Sequence, residues 1–248
     1  MYSNFEPVYS LPMHIRQAVI LAGGEGRRLL PLTLTTPKPL IEIGGKPFAE
    51  YLIEMLVAYG IEEIIFLTGY LGEQFPERLG DGSRWGIKIL YSQSPTEDDT
   101  GTRLRKARQF LDERLLLLYG DNYCPIDFKA LVAFHEKMRL WATVTVYERN
   151  DPKKKNNMRV VNGVVEIYDK KGETPGLQGI DIGFFVLSKR VLDLLPEENA
   201  NFEYAVLPKL ISQKQLAGFV TKEPYQALTS PDRLPAMEVA LEKFSPFR

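Results

Sequence analysis

The predicted fold depends on Leu21-Ala22-Gly23-Gly24-Glu25-Gly26-Arg27-Arg28-Leu29-Leu30-Pro31, a glycine-rich segment that follows the apolar residues 15–20. The apolar run is typical of a buried strand. Glycine admits positive φ angles and keeps side chains away. Successive N–H groups can therefore converge on phosphate oxygens, and an arginine adds a bidentate fork. The segment predicts a phosphate-binding turn after a strand; a tight connection with two solvated arginines is the alternative.

Apolar runs and helical patterns alternate through the first half of the chain. Strands are predicted at 63–67, 86–91 and 115–119, and helices at 48–59, 73–79 and 104–111. Because a helix separates the successive strands, we expect an α/β fold with a mainly parallel sheet and right-handed crossovers.

The second half departs from this alternation. Helices are predicted at 127–138, 202–213 and 231–241, and strands at 142–147, 180–187 and 219–220. Residues 160–165 predict a β-hairpin, because Asn162-Gly163 joins two β-branched runs. A basic loop at 151–157 precedes the hairpin. We expect one domain over residues 15–248, with halves at about 15–125 and 126–248, after an extension at 1–14.

Composition excludes several classes of protein. The 248 residues carry 31 basic and 32 acidic side chains, a net charge of −1, so no general nucleic-acid or membrane surface is expected. Cys124 is the one cysteine, which excludes an intramolecular disulfide and favours a reducing compartment. No apolar run has the length of a membrane helix, and residues 1–14 lack the basic start of a secretory signal. We therefore expect a cytoplasmic protein.

Two further side chains point to phosphate chemistry. Lys38 stands between Pro37 and Pro39, which should hold it extended. Asp121 follows the run Leu115–Leu118, whose four leucines indicate a central strand buried on both faces. A carboxylate beside a phosphate loop calls for a divalent cation, and Mg²⁺ suits one or two carboxylates with phosphates. A solvated lysine and a helix-capping aspartate are the alternatives.

A polar loop at 92–101 leaves the carboxyl end of another predicted strand, where open α/β sheets bind ligands. Basic residues follow it on the predicted helix 104–111. A solvated helix face is the ordinary interpretation of such a charge run. Arg103 lies nearest the loop and is the one candidate for ligand contact among them.

Residues 21–29 match the pattern L-A-G-G-x-G-x-R-L, residues 37–39 match P-K-P, and Gly120-Asp121 ends a hydrophobic strand in G-D. In this order, the three segments resemble the sugar-1-phosphate nucleotidylyltransferases, over about residues 15–243. Residues 71–86 are similar to the small bacterial enzymes of the N-acetylmuramate-1-phosphate uridylyltransferase type. The heptose-1-phosphate guanylyltransferase type is the other similar group.

This resemblance implies a Rossmann-like three-layer fold and the reaction of an NTP with a sugar 1-phosphate to give an NDP-sugar and pyrophosphate, with Mg²⁺ as cofactor. The implied catalytic residues are Arg28 for pyrophosphate, Lys38 for the reacting phosphates and Asp121 for the metal. The implied nucleotide contacts are Leu21, Ala22, Gly23, Gly24, Gly26, Arg27, Gln93, Thr100 and Gly101. The implied substrate contacts are Asn122, Lys170 (or Lys171), Asp181 and Gly183.

Three segments depart from the family pattern. Ala227 stands where members commonly carry a second metal-binding aspartate. The usual G-T-G/A-G motif is Asp99-Thr100-Gly101-Thr102, and the Glu-Lys-Pro segment is Asp169-Lys170-Lys171-Gly172. These departures keep open a second hypothesis, a catalytically weakened or inactive nucleotide or nucleotide-sugar binding module or regulatory subunit.

A dinucleotide-dependent oxidoreductase fits poorly, because the loop has Leu29 in place of the third fingerprint glycine. The expected partners are an NTP and a sugar 1-phosphate, with no nucleic acid or membrane. The nucleobase, the sugar and the oligomeric state do not follow from the sequence.

Overall fold

A computed structural model describes residues 15–148 and 155–244 of the chain. The extension at 1–14 and residues 151–154 of the basic loop lie outside the described residues. The helices are α1 (Phe48–Ala58), α2 (Gln74–Leu79), α3 (Thr100–Lys106), α4 (Phe128–Met138), α5 (Phe202–Ser212) and α6 (Leu234–Phe244).

Within the described residues, nine strands form one sheet to which both halves of the chain contribute. They are β1 (Gln17–Leu21), β4 (Glu63–Thr68), β5 (Lys88–Gln93), β6 (Arg114–Tyr119), β8 (Ala142–Glu148), β9 (Met158–Val161), β10 (Val164–Tyr168), β11 (Gly179–Ser188) and β12 (Leu216–Thr221). Two short pairs lie beside the sheet: β2 (Glu42–Ile43) with β3 (Lys46–Pro47), and β7 (Asn122–Tyr123) with β13 (Gln226–Ala227).

The sheet is mixed, so the prediction of a mainly parallel sheet is wrong. Its order is β5-β4-β1-β6-β11-β8-β12-β10-β9. Strands β5, β4, β1 and β6 are parallel, because helices connect them. Strand β11 then runs antiparallel to both β6 and β8. The second half supplies β9 and β10 as a hairpin, whose short connection reverses the chain without a crossover.

The run of four leucines occupies a central strand, as predicted. Leu116 and Leu118 pack into the hydrophobic cluster on one face of the sheet, and Leu115 and Leu117 into the cluster on the other. All four are at most 2% exposed. Burial on both faces explains why this strand carries no polar residue between Leu115 and Leu118.

The predicted hairpin is also confirmed. Asn162 and Gly163 have φ angles of 51° and 78°, the left-handed values that a type I′ turn requires at both central positions. Val164 pairs with Val161 across the turn. The Asn-Gly dipeptide therefore fixes the register of β9 and β10.

Three local predictions need correction. Residues 38–40 form a 3₁₀ turn, not an extended segment, because proline's fixed φ and missing N–H suit the first turn of a helix. Helix α3 begins at Thr100 rather than Leu104, since its first N–H groups are satisfied by the Ala200 carbonyl. The last helix begins at Leu234, after a separate 3₁₀ turn at Pro231–Arg233.

Cys124 is buried and free, and burial raises the pKa of its thiol to about 12. Within residues 15–148 and 155–244, no helix combines the length and hydropathy needed to cross a membrane.

Candidate nucleotide-binding site

A cavity of about 480 Å³ opens where β1 and β6 end, a size within the usual range for small-molecule sites. Both strands end at the same edge because they are parallel. The lining residues come from five segments of the chain: Leu21, Ala22, Gly23, Gly24, Gly26, Arg27, Arg28, Leu29, Lys38, Pro39, Thr96, Glu97, Asp98, Asp99, Thr100, Arg103, Tyr119, Gly120, Asp121 and Thr229.

The glycine-rich loop presents open backbone donors to this cavity. Within the described residues, the N–H groups of residues 23–28 donate no backbone hydrogen bond. Gly26 has a φ of +64°, and a Cβ there would lie 3.0 Å from Thr33 and 3.1 Å from Lys38. Only glycine combines this left-handed conformation with such close approach. The loop therefore has the form of an anion-binding turn.

Arg103, the candidate for ligand contact among the basic residues, lines the cavity and organises its floor. It is 4% exposed, and burial lowers its pKa. Its guanidinium donates to the carbonyls of Thr68 (2.7 Å), Gly23 (3.2 Å) and Pro95 (3.0 Å), and also to Ser94 and Thr96. These acceptors lie at the end of β4 and just after β1 and β5, so one side chain joins three strand ends.

Lys38 and Asp121 meet inside the cavity. Lys38 Nζ lies 2.5 Å from Asp121 Oδ2, and the two side chains are 13% and 28% exposed. Gly120 lets β6 approach β1, since a Cβ there would lie 2.8 Å from the Leu21 carbonyl oxygen. Residues 83 positions apart in the chain thus form one ion pair beside the glycine-rich loop.

The two arginines of the loop differ in their contacts. Arg27 pairs with Glu25 at the surface, and its side chain is 82% exposed. Arg28 is also exposed and lines the cavity, but it forms no salt bridge with a described residue. Arg28 is therefore the loop arginine whose guanidinium is available to an anion.

Asp181 and Gly183 lie on a β-bulge of β11, where the register with β8 shifts. Gly183 has a φ of +73°, and its N–H donates to Asp181 Oδ1 over 2.7 Å. Burial, reinforced by the charge of Glu203, raises the pKa of Asp181 to about 7. Bulges commonly re-aim side chains beside binding sites.

Asn122 and Lys170 lie outside the cavity lining and are held by contacts of their own. Asn122 Nδ2 donates to the Ile182 carbonyl over 2.8 Å and so holds β7 against the bulge. Lys170 Nζ lies 2.5 Å from Glu203 Oε2. Lys171, the alternative to Lys170, is exposed and donates its N–H to Asp169.

The structure brings most of the predicted site residues to one cavity. All three predicted catalytic residues line it, as do six of the predicted nucleotide contacts in the glycine loop together with Thr100. The lining does not include Gln93, Gly101, Asn122, Lys170, Asp181 or Gly183. Gly101 has a packing role, since a Cβ there would lie 2.7 Å from the Ala200 carbonyl oxygen. Gln93 is exposed at the end of β5.

Sequence reasoning missed Tyr119 and Glu203. Tyr119 lines the cavity, and burial raises the pKa of its hydroxyl. Glu203 is 7% exposed although it is charged. It shares the i, i+3, i+4 stripe of Val206 and Leu207 on α5, and an acidic residue on an apolar stripe is a signal that the sequence contains.

The residues present fit a single-carboxylate magnesium site. Asp121 is the aspartate that lies beside the glycine-rich loop. Ala227, on β13, pairs with Asn122, the residue after Asp121, on β7. In the described part of the chain, no three His, Cys, Asp or Glu residues form a metal-binding group. Mg²⁺ accepts one or two carboxylates and completes its shell with phosphate oxygens and water.

Comparison with known proteins agrees with this geometry. The family model "Nucleotidyl transferase" matches residues 17–225. A Bacillus subtilis protein described as "Probable glucose-1-phosphate cytidylyltransferase" is 32% identical over 81% of this chain and 86% of its own length. The mannose-1-phosphate guanylyltransferase of Mycobacterium tuberculosis is 29% identical over 88% of this chain, which spans 62% of that relative's length.

A solved structure has the same fold. The crystal structure of HddC from Yersinia pseudotuberculosis complexed with GMP-PN superposes with a TM-score of 0.76 at 26% identity. The superposition covers 93% of this chain and 100% of that chain. The match to the family model and to these relatives extends over most of the described residues. The chain therefore belongs to the nucleotidyl transferase family, within its sugar-1-phosphate nucleotidylyltransferases.

Proposed function

We propose that the protein catalyses Mg²⁺-dependent transfer of a nucleotidyl group from an NTP to a sugar 1-phosphate. The observation that carries this proposal is the single cavity shared by the glycine-rich loop, Arg28 and the Lys38–Asp121 pair. These groups supply backbone donors, two cations and one carboxylate, a set that matches a triphosphate with a metal ion. The relatives' names support the class of reaction and leave the base and sugar open.

In the proposed reaction, a phosphate oxygen of the sugar 1-phosphate attacks the α-phosphorus of the NTP in line. A new P–O bond forms as the bond to the α,β-bridging oxygen breaks, and pyrophosphate leaves with the electron pair. The N–H groups of residues 23–28 hold the nucleotide phosphates, and Arg28 neutralises the leaving group. Lys38 stabilises charge on the reacting phosphate. Mg²⁺ at Asp121 would neutralise phosphate charge when bound.

Pyrophosphate release tests the proposal. The full-length protein is incubated with each of ATP, CTP, GTP, UTP and dTTP against a panel of sugar 1-phosphates, with Mg²⁺ or with EDTA. We expect release that requires one nucleotide and one sugar phosphate and that stops in EDTA. Release that persists in EDTA would contradict the magnesium site, and absence of release from every pair would contradict the enzyme.

Ala227 favours a second candidate function, a nucleotide or nucleotide-sugar binding module without turnover. The small side chain leaves Asp121 as the carboxylate at this end of the cavity. Equilibrium binding of the same nucleotides separates the two functions. Nucleotide binding together with no pyrophosphate release would establish the binding module.

A further inference from the structure

A buried carboxylate lies beside the predicted substrate lysine. Glu203, in the first turn of α5, accepts hydrogen bonds from Lys170 Nζ (2.5 Å) and from Tyr168 Oη (2.8 Å). Glu203 is 7% exposed, whereas the Lys170 side chain is 46% exposed. An ammonium group has three donors. Glu203 therefore fixes the lysine through one of them, and the other donors of this half-exposed side chain are left for solvent or a ligand.

The carboxylate next to Lys170 in sequence is engaged elsewhere. Asp169 Oδ2 accepts from the N–H groups of Glu173 and Thr174, each over 2.8 Å, and from Thr174 Oγ1 over 2.8 Å. These bonds hold the pKa of Asp169 well below its usual range. Because Asp169 closes its own turn, the carboxylate that holds Lys170 comes from Glu203, 33 residues further along the chain.

The segment that carries Glu203 is fastened to the cavity wall. Phe202 N donates to Thr100 Oγ1 over 2.9 Å, and the N–H of Gly101 donates to the Ala200 carbonyl over 2.9 Å. Thr100 itself lines the cavity. The position of Glu203 is therefore coupled to the rim of the nucleotide cavity, not only to the hairpin.

A polar group on the facing wall has no partner. Tyr119 Oη is buried and has no well-formed hydrogen bond among the described residues. The Thr100 hydroxyl is near enough to act on its pKa. Tyr119 lines the cavity, and the charges of Glu203 and Asp181 act on it. A buried hydroxyl without a partner costs about 1–3 kcal/mol unless a ligand or water satisfies it. The Tyr119 hydroxyl is thus available to a polar ligand in the cavity.

We propose that Glu203 is a positioning residue that holds Lys170 beside the Thr100 rim of the cavity, where the ammonium receives the phosphate of the sugar 1-phosphate. Tyr168 fixes the Glu203 carboxylate through its second hydrogen bond. This inference rests on the proposed function, in which the neighbouring cavity holds the NTP. Glu203 thus supplies the carboxylate that holds Lys170, a role that the adjacent Asp169 does not fill.

Steady-state kinetics and calorimetry test the inference on the full-length protein. The variants are Glu203→Gln, Lys170→Met and the double variant, and calorimetry uses glucose 1-phosphate, mannose 1-phosphate and inorganic phosphate. We expect Glu203→Gln to raise the KM or Kd for the sugar phosphate by roughly tenfold or more, while the KM for the NTP changes less than about twofold. The double variant should match Lys170→Met alone, because Glu203 acts through Lys170.

The matched control is Glu54→Gln, which breaks another half-buried ion pair, with Lys46 at 2.6 Å, outside the cavity lining. Glu54→Gln should leave both KM values unchanged. Should Glu203→Gln not fold, Glu203→Asp provides the comparison, since its shorter side chain also displaces the ammonium. Equal changes in both KM values, or additive effects in the double variant, would overturn the positioning role while the proposed function stands.

Calorimetry distinguishes the two failures. A wild-type protein that turns over no substrate pair, yet binds a sugar phosphate in a Glu203-dependent way, refutes the proposed function and supports the positioning role. A wild-type protein that neither turns over nor binds any of these phosphates refutes both.

Discussion

At the level of single residues, the ion pair between Lys38 and Asp121 places the only carboxylate of the G-D segment against a cation inside the cavity. Asp121→Asn keeps the shape of the side chain but removes its charge. We expect turnover to fall by roughly 10²–10³-fold, as when one preorganised electrostatic group is lost from an active site. The free energy of unfolding should change little, because the pair is partly exposed. Pyrophosphate release and urea unfolding measure the two effects, and a variant with wild-type turnover would show that the metal binds elsewhere.

Ala227 permits a gain-of-function test beside the same carboxylate. Residue 227 pairs with Asn122, and the next N–H, that of Leu228, donates to the Asp121 carbonyl over 2.8 Å. Ala227→Asp therefore adds a second carboxylate near Asp121, and we expect half-maximal activity at a lower Mg²⁺ concentration, by roughly threefold to tenfold. Ala227→Asn is the uncharged control of the same shape. If the aspartate variant needs as much Mg²⁺ for half-maximal activity as the asparagine variant, or more, another group already fills this role.

At the level of elements, Arg103 holds together the carboxyl ends of three strands, β1, β4 and β5. Arg103→Met leaves their buried carbonyls without a donor, so we expect a loss of about 2–4 kcal/mol in the free energy of unfolding and a clear loss of nucleotide affinity. Arg105→Met, on the same helix, removes one hydrogen bond to the Pro196 carbonyl (2.8 Å) and should have a smaller effect on both. Urea unfolding and equilibrium nucleotide binding give the comparison. Similar losses in the two variants would contradict the organising role.

The sequence predicts the site residues that belong to short motifs, and it does not predict those whose partners are distant in the chain. The glycine-rich loop, Lys38 and Asp121 are predictable, because each belongs to a short motif whose residue types carry the chemistry. Arg103 looked like one of several basic residues on a helix, since its partners lie as far as 80 positions away and most are backbone carbonyls. The contact between Glu203 and Lys170 joins residues 33 apart, and no local pattern specifies it.

At the level of the whole molecule, strand direction was predictable only where local sequence determines it. Helices between β1, β4, β5 and β6 require parallel neighbours, and the prediction is right there. The position of β11 between β6 and β8 depends on long-range pairing. Every residue of an apolar strand is compatible with a parallel or an antiparallel neighbour, so its hydrophobic pattern does not choose between them.

Two buried groups give the fold opposite responses to pH. Burial and the nearby Arg114 lower the pKa of His135 to about 4, and its Nδ1 lies 2.8 Å from Thr143 Oγ1. Unfolding raises that pKa, so the unfolded state binds more protons between about pH 4 and 6.5, and stability is lost as the pH falls through this window. Asp181 behaves conversely. Burial raises its pKa to about 7, although the charge of Lys170 opposes this shift. The native state therefore binds more protons than the unfolded state, and stability is lost as the pH rises from about 4 to 7.

Because the two slopes have opposite signs, they should largely cancel in the wild-type protein, and each single variant should expose the other group. In Asp181→Asn, the free energy of unfolding should fall as the pH drops from 6.5 to 4, with His135 contributing up to about 1.4 kcal/mol per pH unit, since Asp181 no longer opposes it. In His135→Gln, the free energy of unfolding should fall as the pH rises from 4 to 7, since His135 no longer opposes Asp181. Urea unfolding at half-unit pH intervals measures both slopes against the wild type. Slopes of the same sign in the two variants would contradict the assigned protonation states, because a neutral His135 and a protonated Asp181 in the native fold require opposite ones.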